Sequence, residues 1–122
     1  MRIEPEPKIC EKANFFTSSG KVIILELKLI KLPYINKKEY PEDYKFSLMA
    51  CNKNDPQEFF RLDNHHDKPP HWHDNEQWEF FEWVSLEETW KFFYQKVQNK
   101  FGQILYKIEN RIISYDRKNI YI

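Results

Sequence analysis

An α+β domain is what this sequence predicts: an antiparallel sheet of four or more strands packed by one helix in the C-terminal half, at about residues 85–101. Three observations carry that expectation. "VIILELKLI" at 22–30 alternates so that Ile23, Leu25, Leu27 and Leu29 share one side of a strand and become its core face. Aromatic residues make up 17% of the chain and glycine only two positions, which suits strands and excludes a glycine-rich phosphate loop. Leu86, Trp90, Phe93, Val97 and Phe101 recur at four- and three-residue steps, the spacing of one helical face.

The elements follow in chain order within one domain, 1–122. Residues 1–9, with Pro5 and Pro7 among charges, read as an extended leader, so order is expected to begin near Cys10 and the core to occupy 10–101. Ser18-Ser19-Gly20 supplies turn chemistry between two β-rich flanks, a hairpin whose second strand is expected to be the longest in the protein. The segment 33–44 has two prolines and several charges and reads as an exposed, mobile loop. "YKFSLMACN" at 44–52 and "QEFFRLDN" at 57–64 flank a turn at 52–56 and should pair, while "QWEFFEWV" at 77–84 is a fourth extended segment. Ser85 and Glu88 form a capping-box pattern before the helix, and Gly102 stands where it should end. The tail 103–122 is expected to add short strands around Asn110 or Asp116-Arg117, with a helical turn at 103–110 as the other option.

Charge and cysteines narrow the function classes only a little. Nineteen basic and nineteen acidic side chains cancel, so the net field favours neither nucleic acid nor membrane. No apolar run is long enough to span a bilayer, and a soluble, cytoplasmic protein is expected. Cys10 and Cys51 belong to no CxxC pair and read as isolated small thiols.

The chemistry-bearing stretch is "DNHHDKPPHWH" at 63–73, which holds all four histidines. Pro69-Pro70 stiffens the backbone, and if 71–73 is extended, His71 and His73 project to one side while Trp72 faces the core. One reading is acid–base: His71 and His73 exchange protons, Asp63 orients an imidazole, and Lys68 with Arg61 stabilises phosphate charge. Cleavage of RNA by its own 2′-hydroxyl needs those roles and no cofactor. A second reading is a divalent metal held by His71, His73, His66 and Asp63, with His65 and Asp67 also in range. A third is a polar loop in which Asp63-Asn64 caps a turn and the histidines are decoration. Trp78, Phe80, Phe81, Trp83 and Tyr94 could stack on bases, but their place beside a strand–helix junction points to the core.

The order of a glycine turn, "KVIILELKLIKLP", "YKFSLMAC", "RLDN", a lysine, His-x-His and "SLEETWKFF" resembles the TumE-type toxin family of toxin–antitoxin systems, a domain-of-unknown-function family. Asp63, Asn64, Lys68, His71 and His73 stand in the places of its Asp-Asn, Lys and His-x-His pattern, and the resemblance covers roughly 20–101. Asp67 and Pro69-Pro70 replace the glycines expected around the lysine, and His65 and His66 fall at positions outside the pattern. The resemblance implies a small toxin with ribonuclease activity, neutralised by a helix-turn-helix antitoxin. A non-catalytic module that binds protein or nucleic acid is the reading from a different class.

Overall fold

Alternating strands and one amphipathic helix form a sheet with a single covered face in the computed structural model, which describes residues 6–34, 36–65 and 68–109. β1 (Glu6–Thr17) and β2 (Val22–Lys31) form the first hairpin, β3 (Tyr44–Asn52) and β4 (Asp55–Asp63) the second, β5 (His71–Asp74) and β6 (Gln77–Phe80) the third. After α1 (Leu86–Phe101), β7 (Ile104–Ile108) returns to pair with β1, giving the antiparallel order β6-β5-β4-β3-β2-β1-β7. The α+β class, an antiparallel sheet with one helix in the C-terminal half, is therefore as expected. Among the described residues no helix is long and apolar enough to cross a membrane.

The core sits between α1 and one face of the sheet. Ile23, Leu25, Leu27 and Leu29 of β2, Phe46, Leu48 and Ala50 of β3, and Phe60 and Leu62 of β4 are buried against Phe93, Val97 and Phe101 of α1. Ser85 caps the helix by accepting from the backbone N–H of Glu88 at 3.0 Å. The far end docks on the first hairpin turn. Ser19 Oγ donates to the Phe101 carbonyl at 2.6 Å, and Gln103 N–H donates to Ser18 Oγ at 2.8 Å. Gly102 has φ +97°, and a Cβ there would lie 2.9 Å from Ser18 Oγ, so both backbone conformation and space call for glycine. Lys100 Nζ reaches Asp74 Oδ1 at 2.6 Å, tying the last helical turn to the end of β5.

Several details differ from expectation. The longest strand is β1, with 12 residues against 10 for β2, and it starts at Glu6 rather than near Cys10. Backbone pairing with β2 organises that end, and Pro7 is accommodated at a register shift where β7 no longer runs alongside. The helix buries Thr89 rather than Trp90, which is 40% exposed and stacks on Tyr94 instead. The segment 33–44 is not wholly exposed: Tyr40 is buried and Pro41–Asp43 forms one 3₁₀ turn. Residues 104–108 are a strand, not a helical turn, while the strands expected around Asn110 and Asp116-Arg117 fall outside the described residues.

Candidate functional site

The period-two geometry that buries Phe60 and Leu62 sends Arg61 and Asp63 to the opposite face of the sheet, where α1 does not reach. Strand register then assembles two cross-strand rows on that face. One runs Lys28, Ser47, Asp63, His71, Phe80, and the other Glu26, Met49, Arg61, His73, Trp78. Trp72 points the other way and stacks on Phe60 with ring centroids 6.2 Å apart, so the predicted split of the His-x-His segment holds.

Asp63 is the hub. Its side chain is 5% exposed, with Oδ2 lying 2.9 Å from Arg61 Nε and Oδ1 lying 2.9 Å from His71 Nε2. Both contacts are at ion-pair distance but off hydrogen-bond alignment, leaving Arg61 Nε and Asp63 Oδ1 without a hydrogen bond among the described residues. Coulombic attraction depends on distance more than on angle, so the Arg61–Asp63 pairing stands while hydrogen-bonding capacity is left over. His71 is buried, and its Nδ1 donates to the Pro69 carbonyl at 2.9 Å in the tautomer that satisfies this contact. Pro69-Pro70 thus does more than stiffen the loop: one carbonyl orients His71, and the other accepts from Phe81 N–H at 3.1 Å to seat β6.

His73 lies beside His71, with ring centroids 4.9 Å apart and the rings nearly perpendicular. Burial holds its pKa below the ordinary histidine value of 6.5, helped by the positive charge of Arg61, which favours the neutral ring. Ser47, Arg61, Asp63, His65, Lys68, His71 and His73 surround a cavity of about 190 Å³. Two permanent cations against one carboxylate give its lining an excess of positive charge, which suits an anion. A larger open cleft of about 1130 Å³, lined by Asp55, Glu58, Asp74 and Glu76, has the opposite polarity, with Glu58 and Asp74 paired to Lys21 and Lys100.

Asn64, expected as a supporting residue, acts on the backbone. It is fully buried, accepts from Phe46 N–H at 3.0 Å and donates to the carbonyls of Glu39 and Tyr44 at 2.9 Å. This clamp fixes the exit of β4, hence the direction of Asp63. His65 and Lys68 both line the cavity. His66 and Asp67 lie outside the described residues.

Two contributors were not singled out from sequence. Ser47 and Lys28 enter by register, which pairing across β2, β3 and β4 alone decides. Trp78 and Phe80, expected in the core, are each 51% exposed on the open face beside the histidines. The available signal was the pair Asn75-Glu76, a two-residue turn. Asn75 adopts φ +58° and its side chain accepts from Phe59 N–H at 3.0 Å, closing a hairpin that puts Trp78 opposite His73. Phe81 and Trp83 do pack on the core. No family model, curated protein or solved structure matches the chain.

Proposed function

We propose that this protein is a TumE-like toxin that cleaves RNA by metal-independent acid–base catalysis at the Asp63–His71–His73 cluster. The observation that carries this reading is the cavity lined together by a buried carboxylate–imidazole pair, a second imidazole, Arg61 and Lys68. His73 is the base that takes the proton of the 2′-hydroxyl as its oxygen attacks phosphorus and the 5′-oxygen leaves. His71 is the proton donor to the leaving oxygen through Nε2, which exchanges its contact with Asp63 for one with that oxygen while the Pro69 carbonyl keeps Nδ1 in place. Arg61 and Lys68 stabilise the charge that builds on the phosphate. Under this reading the partner is a helix-turn-helix antitoxin, and the compartment is the cytoplasm where RNA is met.

The test uses purified protein and labelled single-stranded RNA in the presence of a chelator. Cleavage should leave a 2′,3′-cyclic phosphate and stop when the 2′-hydroxyl at the cleaved position is replaced by hydrogen. Replacing His71 and His73 together by alanine should abolish cleavage and growth inhibition while the folded spectrum is kept; full activity in that variant rules the assignment out.

One observation favours a second reading on the same residues. The ligand atoms of Asp63, His71 and His73 lie within 4.8 Å of one another, Asp63 Oδ1 has no aligned hydrogen bond, and His71 Nδ1 donates to a carbonyl, the outer contact that metal-bound histidines make. Three such ligands would leave a position for water on a divalent ion, the arrangement of a metal-dependent hydrolase. Against it stand Arg61 and Lys68, whose charge opposes a dication. A stoichiometric bound ion, and activity that a chelator removes, would decide for the metal.

A further inference from the structure

We propose that Trp78, Phe80 and Lys68 form a base-stacking platform that holds unpaired bases of single-stranded RNA against the cavity, an inference that rests on the phosphodiester-cleaving reading and names its substrate class. Both rings are half exposed on a strand that contributes nothing to the buried core, so packing does not account for two large aromatics there. Each stands opposite one histidine in the β5–β6 register, with Trp78 6.4 Å from the His73 ring at 31° and Phe80 6.0 Å from the His71 ring. Trp78 and Phe80 support each other edge to face at 5.2 Å, which fixes their planes without covering both. Lys68 Nζ lies 5.8 Å from the Trp78 ring centroid and also lines the cavity, so one ammonium adjoins both the stacking surface and the phosphate position.

Aromatic rings beside cations on an open strand face bind single strands, because every base has a π-face and the backbone is anionic. A duplex keeps its bases stacked inside, and the deep, narrow major groove of A-form RNA admits no such shelf. The platform therefore selects unpaired RNA and places a ribose near His73.

The experiment measures binding of a fluorescent 2′-O-methyl oligonucleotide, which lacks the attacking hydroxyl and stays intact, to the full chain. Wild type should bind the single strand and bind a duplex of equal length at least tenfold more weakly. Trp78→Ala with Phe80→Ala should weaken single-strand binding by roughly ten- to a hundredfold, with unchanged thermal melting, whereas Trp78→Phe should keep most of it. Lys68→Met should lower the slope of log affinity against log salt by about 0.7. Unchanged binding in the double variant, or equal binding of duplex, overturns the platform. The two proposals separate cleanly. Trp78-dependent binding of RNA that is never cleaved supports the platform and sinks the catalytic reading, while cleavage with an unaltered KM in the double variant does the reverse; a protein that neither binds nor cleaves RNA removes both.

Discussion

The two faces of this sheet are built from the same strands and serve opposite ends. On the face covered by α1, the row Leu27, Leu48, Leu62, Trp72 is apolar and closed; one residue along each strand, the row Lys28, Ser47, Asp63, His71 is polar and open to a cavity. Hydrophobic burial against the helix holds the strands in register, and that register places Asp63 between Arg61 and His71. The lesson is a division of labour. The closed face supplies stability and the open face keeps under-satisfied polar groups, which a rigid scaffold can hold at a cost in stability smaller than its own contribution.

That comparison can be broken most directly with one residue type on both faces. Phe60→Ala removes a fully buried ring and should destabilise the fold by about 3–5 kcal/mol in denaturant titration, whereas Phe80→Ala, half exposed on the open face, should cost less than about 1 kcal/mol. Comparable losses would mean that the open face also stabilises the fold. Next in size, Asn64→Ala strips three hydrogen bonds from buried backbone at the junction of the faces and should cost about 2–3 kcal/mol. It should also lower cleavage, because Asp63 loses the clamp beside it. Smaller again, Ser85→Ala removes the helix cap and should cost about 1 kcal/mol, with cleavage at permissive temperature unchanged.

The smallest expected effect concerns protons. The folded pKa of His73 lies below its unfolded value of 6.5, so the unfolded chain binds its proton first as pH falls. The His73 contribution to stability is then full above the unfolded pKa and is lost as pH falls below it toward the folded value. Urea midpoints measured across that window should fall less steeply in His73→Ala than in wild type. On the proposed mechanism the acidic limb of cleavage lies below pH 6.5 and moves toward neutrality in Arg61→Met, because Arg61 is the second cause of the lowered pKa after burial. A limb that stays in place would separate His73 from the titrating base.

Much of the fold was legible because its signals are local. The alternation at 22–30, the serine and glycine turn at 18–20, the Ser85 cap and the Gly102 stop each depend on neighbours in sequence, and each is found where the residues indicate. Local signals failed where a distant partner intervened. Residues 6–9 carry no strand signal strong enough to overcome two nearby prolines, yet pairing with β2 organises them from Glu6. Trp90 matches the helical stripe, but the sheet meets the helix one position earlier, at Thr89.

For the site, the sequence by itself determined which residues could act and which way they point along a strand: Asp63 with Arg61 on one side, His71 with His73 on one side, and Trp72 away from them. Those statements need only the two-residue period of an extended backbone. Tertiary structure alone decided that the two pairs face each other, that Ser47 joins them, that Asn64 braces the backbone rather than the chemistry, and that Trp78 and Phe80 lie exposed beside the imidazoles. Cross-strand register is set by turns and by burial summed over the whole sheet, a sum that no short stretch of sequence contains.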